Sequence, residues 1–337
     1  PIGVNAVSWL YGKFFTKLLR AALVLFVPNK RVYPSAGDLA TTSAPIMPFA
    51  PGGAGDFVGR ILSVKISEIL GQQVYIENKP GLGGNVGLAM AAKAQPDGYT
   101  IVYANIGAVA INPALYPNLN INPLKDFIPI TLIADVPSAL VGNVDFPPKT
   151  VAELITLLKA NPNKYNFASP GGGSANRLET EIFMQSTGTK MVHVPYKGGG
   201  GQAAIGLISG DAQVMFNTLP SLKQFILSGK VKGYAVTSAT RQADLPGIPT
   251  MLELGYPELV TGSWQSILVP ANTPKPIVNK LYAAIIQALE MSDVKEKLAA
   301  GGANVMISKS PEAARQFMQL EMERWGKVVR DSGTSPD

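Results

Sequence analysis

The chain contains no cysteine, and that single absence removes disulfides, thiolate metal sites and cysteine nucleophiles together. It also leaves the chain safe in an oxidising compartment. Histidine occurs once, at His193, too few imidazoles for an ordinary transition-metal site. His193 lies in an apolar strand pattern between Val192 and Val194, and reads as a core or cleft-wall residue. Charged residues make up only 15%, where soluble domains usually carry about a quarter. The net charge is +6, but Lys and Arg are scattered and form no basic stripe interleaved with aromatics. Nucleic acid is therefore not an expected partner. A mildly positive body suits anionic small molecules.

Catalytic signatures are missing too. No glycine loop carries the Gly-Lys-Ser/Thr of a P-loop. Gly198, Gly200 and Ala203 match a loose dinucleotide pattern, but no acidic residue follows at the required strand end. No Gly-x-Ser-x-Gly elbow is present. No cofactor, metal or catalytic residue is expected; an enzyme acting on a small carboxylate is the runner-up reading, and a ligand-sensing subunit the third. Near the start, Lys13, Lys17 and Arg20 precede the short apolar run 21–27. That run is too short to span a bilayer and resembles a secretory signal, although Lys30 and Arg31 follow at once. Residues 1–45 are expected to be a signal-like or atypical segment.

What is present is organised around Pro48-Phe49-Ala50-Pro51-Gly52-Gly53-Ala54-Gly55-Asp56. This Pro/Gly loop opens a helix whose face is Val58, Ile61, Leu62, Ile66, Ile69 and Leu70. Asp56 is the expected N-cap. Glycines before a helix let backbone approach a ligand, and the helix start offers unpaired N–H groups and a positive dipole end. The loop is either an anion site or an ordinary strand-to-helix turn.

The rest repeats a rhythm of strand, glycine loop, helix and strand, which argues for parallel sheets covered by helices. A second glycine loop spans Lys79 to Asn85, and a strand ends at Asn105-Ile106-Gly107. Thr150 starts a helix carrying Val151, Leu154, Ile155 and Leu158. The strand Tyr165 to Ser169 runs into Pro170-Gly171-Gly172-Gly173-Ser174, with Ser174 as the expected N-cap of the next helix. Further strands are expected at Val192 to Tyr196, at Ala212 to Asn217 and at Ser263 to Val269. Trp264 is a candidate for lining a cleft, with core packing as its default. With 337 residues the chain is long enough for two domains, each with a glycine-opened helix. Two such helix starts facing one cleft would clamp an acid from both sides.

These loops, with Pro96-Asp97-Gly98-Tyr99-Thr100, Asn112-Pro113-Ala114-Leu115-Tyr116, Val194-Pro195-Tyr196-Lys197-Gly198 and Val214-Met215-Phe216-Asn217, resemble the Bug family of solute receptors. These are the extracytoplasmic binding components of tripartite tricarboxylate transporters. The matches run in order over about residues 46 to 330. The resemblance implies an α/β, two-lobed periplasmic-binding-protein (Venus flytrap) fold, each lobe a mostly parallel sheet flanked by helices. Lobe 1 is expected at 46–135 plus 265–337, and lobe 2 at 136–264. The chain would cross near 130–140 and return near 262–268, with closure as a hinge motion.

The same resemblance implies a periplasmic, monomeric receptor without enzymatic activity, whose partners are a small carboxylate and membrane transporter subunits. It places one ligand carboxylate at Phe49, Ala50, Gly53, Ala54 and Asp56, with Asn105 and Gly107 beside them. Lobe 2 would contribute Ser169, Gly173, Ser174, Ala175, Tyr196 and Asn217. Three departures carry expectations of their own. Thr41 to Met47 is poor strand material for the first strand. Arg177 stands where the family often has His; Arg at a helix N-terminus opposes the dipole, so it is expected to face the ligand. Ala108-Val109 replaces a polar pair, which would make the pocket more apolar and favour an aromatic or aliphatic acid over citrate.

Overall fold

The computed structural model describes residues 45–336; the expected signal-like segment falls outside the described residues, except for Pro45. Two helix-flanked sheets make two lobes. In lobe 1, β1 (Ile46–Met47) pairs in parallel with β2 (Glu77–Asn78) and β3 (Val102–Asn105). β1 is two residues long, both buried; of the stretch expected to be poor strand material, Thr41 to Ala44 lie outside the described residues. β4 (Phe127–Asp135) ends this half, and β10 (Gln265–Pro270) lies between β3 and β4, antiparallel to both. β11 (Asn304–Val305) closes the edge against β4.

Lobe 2 has the strands β5 (Ser138–Asn143), β6 (Asn166–Ser169), β7 (Val192–Pro195), β8 (Val214–Thr218) and β9 (Val231–Val236). Their spatial order is β7-β6-β8-β5-β9. β6 runs parallel to β7 and β8, whereas β5 is antiparallel to β8 and β9. Both sheets are thus mixed, which corrects the expectation of mostly parallel ones. Parallel pairing is confined to the strand–helix–strand units. The strands that carry the chain between lobes enter and leave side by side, so they run in opposite directions.

The sequence pattern locates most helices. α1 (Ala54–Leu70) buries Val58, Leu62 and Ile66, as its periodicity requires. Fully burying a leucine such as Leu62 contributes about 1.5–3 kcal/mol. α2 (Asn85–Ala92) follows the second glycine loop. α3 (Val151–Ala160) is capped by Thr150, whose side chain accepts from the Glu153 amide. Lobe 2 continues with α4 (Ala175–Thr187), α5 (Gly199–Ser209) and α6 (Leu219–Leu227). The chain closes with α7 (Lys275–Glu290), α8 (Ser292–Ala300) and α9 (Pro311–Ser332). α8 escaped the sequence pattern because its apolar contact rests on one i, i+4 pair, Val294 and Leu298.

The two crossover segments are bonded to each other. Pro137 bridges Gly262, and the Ser263 amide donates to the Val136 carbonyl at 2.8 Å. Trp264 on the return is not a cleft residue. It is buried, and its indole N–H donates to Glu321 Oε2 at 2.9 Å, the oxygen that also accepts from Trp325 at 3.0 Å. Ala175 and Leu178 of α4 join the apolar cluster of lobe 1 that contains Trp264 and Trp325, so the lobes are packed on each other.

Candidate functional site

A cavity of about 260 Å³ lies between the lobes. Lobe 1 supplies Phe49, Ala50, Gly53 and Ala54, the loop Pro80 to Gly84, and Asn105 and Tyr116. Lobe 2 supplies Pro170 to Asn176, Lys197, Gly199, Gly200 and Asn217. Ser263 on the returning crossover completes that wall. Among the described residues no Asp or Glu side chain lines it, and Lys197 is the charged one. No described residue forms an ion pair with Lys197.

The lobe 1 loop keeps its amides open. α1 starts at Gly53 with no side-chain cap, and no described residue accepts from the amides of Gly53, Ala54 or Gly55. The expected cap, Asp56, sits inside the helix instead. Its Oδ2 accepts from the Gly52 amide at 3.2 Å and from Arg60 Nε at 3.0 Å. Its Oδ1 meets Arg60 at 2.8 Å and accepts from Asn78 Nδ2 at 3.3 Å. Asn78 also donates to the Phe49 carbonyl at 2.9 Å, which fixes the loop to β2. Burial pushes the Asp56 carboxyl up. Arg60, the Gly52 amide and Asn78 outweigh it and hold the group below the ordinary 3.8. Asp56 therefore shapes the loop from behind and is absent from the cavity wall.

The lobe 2 loop is built differently. Ser174 is the true N-cap of α4: its Oγ accepts from the Arg177 amide at 3.2 Å and donates to the Gly171 carbonyl at 2.7 Å. Gly173 approaches lobe 1 so closely that a Cβ there would overlap Asn112 Oδ1. Across the same contact, a Cβ on Gly107 would lie 2.6 Å from the Gly173 carbonyl oxygen. Gly107 is thus a seat for the lobe 2 loop and not a wall residue. Asn112 is fully buried, and its Nδ2 donates to the Gly83 carbonyl at 2.9 Å and to Asn85 Oδ1 at 3.0 Å. Ser221 Oγ adds a bond across the lobes, to the Gly52 carbonyl at 3.3 Å.

Three other expected residues lie behind the wall. Ser169 is buried, with its Oγ 2.6 Å from His193 Nε2 and accepting from the Gly171 amide at 3.1 Å. Tyr196 turns its ring against α5, where a Cβ at Gly206 would collide with its hydroxyl. Arg177 does not face the cavity, contrary to expectation. Its Nε pairs with Glu181 at 2.9 Å, its NH1 contacts His193 Nδ1, and its guanidinium lies over the Phe167 ring. An anionic neighbour inside its own lobe answers the unfavourable dipole, so no ligand is needed to balance it. A guanidinium can only donate, so Nδ1 of His193 accepts and Nε2 carries the proton toward Ser169. Ala108 and Val109 are fully buried in the lobe 1 core and absent from the wall, so they do not make the cavity more apolar.

Phe49, Ala50, Gly53, Ala54, Asn105, Gly173, Ser174, Ala175 and Asn217 do meet at the wall. Sequence reasoning recognised the second glycine loop but did not place it there. It missed Asn176 as well, for which the sequence carries no signal beyond proximity to Ser174.

A family model described as "Tripartite tricarboxylate transporter family receptor" matches residues 58–334. This chain belongs to that receptor family. The Bordetella pertussis protein BugT is 36% identical over 289 residues, covering 86% of this chain and 88% of BugT. The periplasmic binding protein BugD superposes with a TM-score of 0.83 at 34% identity, covering 88% of this chain and 99% of BugD. A Rhodopseudomonas palustris protein solved with adipate superposes at 0.84 and 32% identity, covering 89% of this chain and all (100%) of that one. Members are extracytoplasmic solute-binding receptors, not enzymes, and the two-lobed α/β architecture of this receptor is theirs.

Proposed function

We propose that this receptor captures a small organic carboxylate in the interlobe cavity in the periplasm and delivers it to the membrane subunits of a tripartite tricarboxylate transporter. The observation that carries the reading is the wall itself. Open amides at the start of a seventeen-residue helix and an exposed lysine, Lys197, line a cavity that has no acidic side chain among the described residues. Such a wall favours an anion, because its charged side chain and its helix-dipole ends are positive. The volume, about 260 Å³, is below the usual range for drug-sized ligands and suits a short acid. Relatives support a dicarboxylate: MatC of R. palustris was solved with malate, and the R. palustris protein above with adipate.

A thermal-shift panel of mono-, di- and tricarboxylates and aromatic acids tests this. An acid at a hundredfold excess over its Kd is expected to add about 2.7 kcal/mol of stability. No shift with any acid would overturn the reading. Loss of uptake of the stabilising acid in cells lacking the receptor is the expected result for delivery, and unchanged uptake would remove that part.

A further inference from the structure

One cavity residue is held from behind by a buried carboxyl group. Asn176, the second residue of α4, lines the cavity and is 5% exposed. Its Nδ2 donates to Ser138 Oγ at 2.9 Å and to Glu179 Oε2 at 3.0 Å. Glu179 is fully buried and also accepts at Oε1 from Ser138 Oγ (3.1 Å) and Thr261 Oγ1 (2.7 Å). Ser138 gives its one proton to Glu179, so toward Asn176 it can only accept. The amide orientation follows. With Glu179 as the carboxylate, a flipped carboxamide would set its oxygen against Oε2 and a serine lone pair.

The oxygen is therefore turned away from this network. Oδ1 of Asn176 accepts nothing from a described residue. Among the described residues the buried side-chain atoms left unpartnered are Asn85 Nδ2 and Asn112 Oδ1; Oδ1 of Asn176 is not one of them, so it is open to the cavity. The other asparagines on the wall differ. Oδ1 of Asn105 takes the Ala108 amide at 3.1 Å, and Oδ1 of Asn217 takes the Thr218 amide at 2.9 Å. Among the wall's asparagine carbonyls, that of Asn176 alone remains unengaged.

A carboxylate has no proton to offer this oxygen and is repelled by it. A ligand hydroxyl or ammonium group matches it. We propose that Asn176 makes this receptor select acids that carry a hydrogen-bond donor beside the carboxylate, and that Glu179 is the residue that positions it. This rests on the carboxylate reading above.

Calorimetry on the full-length protein tests it with three matched sets. They are succinate with malate and aspartate, glutarate with 2-hydroxyglutarate and glutamate, and adipate with 2-hydroxyadipate and 2-aminoadipate. In at least one set, a substituted acid is expected to bind about tenfold tighter than its parent, the worth of one good hydrogen bond. Asn176→Ala should bring that ratio to within about twofold while the parent acid still binds. Glu179→Gln presents an amide NH₂ to Asn176, which turns it and lowers the same ratio; if this variant melts early, Asn176→Ala decides alone. A ratio near one in the native receptor, or one unchanged in Asn176→Ala, overturns the inference and leaves the carboxylate reading standing. Failure of all nine acids to bind overturns both.

Discussion

The two glycine-opened helices that face the cavity look alike in sequence and differ in how they use their first amides. At α1 the N-cap is Gly53, which has no side chain to spend on the helix start. The carboxylate expected to cap it, Asp56, reaches back to Gly52 and outward to Arg60. The amides of Gly53, Ala54 and Gly55 stay open. At α4 Ser174 caps its own helix and so removes the Arg177 amide from use. What α4 offers instead is a side chain, Asn176. The difference separates two tasks. An uncapped start recognises any anion, because backbone amides are common to all residues. A capped start with a fixed carboxamide can discriminate.

The largest expected effect tests whether the α4 loop must seat on lobe 1. Gly173→Ala places a methyl group on Asn112 Oδ1. Overpacking of this kind costs about 1–3 kcal/mol, which at the upper end is about a hundredfold in affinity. Calorimetry with the acid found in the panel measures it, and native affinity would show that closure does not bring these atoms together.

Asp56→Asn comes next, because it removes a charge-assisted anchor from the α1 loop. A loss of about 1–3 kcal/mol in unfolding free energy is expected near neutral pH. The sign with pH follows from the depressed folded pKa. Stability from Asp56 is fully present above the unfolded value of 3.8 and is lost as pH falls through the lower folded value. Denaturant unfolding should therefore show the two proteins converging in strong acid, and a constant gap would contradict the assignment.

Ser174→Ala should cost about 1 kcal/mol by removing the N-cap. Chemical denaturation checks it; a change below a few tenths would mean that α4, like α1, does not depend on its cap. Arg177→Ala should change affinity for the same acid less than about twofold, since its guanidinium is engaged within lobe 2. A tenfold loss would place Arg177 back at the cleft.

Much of this site was legible in the sequence. The loops around Gly53 and Gly173 declared themselves because Pro and Gly clusters beside a helical period have few other uses. Ser174 was readable as a cap for the same local reason. Asp56 was misread because the same residue type serves as an N-cap or as an N3 side chain bonding back to the turn, and the two positions lie three residues apart. Arg177 was misread because its i, i+4 partner Glu181 was not weighed as the anion that balances the dipole, and its second contact, His193, comes from another strand. The sheets were misread as mostly parallel because the rhythm of strand and helix is local, whereas β10 joins β3 and β4 from more than a hundred residues away.

By itself, then, the sequence determined the α/β class, the two glycine-opened helices and the absence of any thiol. These follow from composition and short-range periodicity, which act within a turn or two of chain. Tertiary structure decided which amides stay open, where Arg177 turns and which way the Asn176 carboxamide points. Distant stretches contribute to each: Asn78 ties down the first loop, His193 joins the local partner Glu181 at Arg177, and Ser138 orients Asn176. A hydrogen bond of that kind leaves no period in the sequence to read.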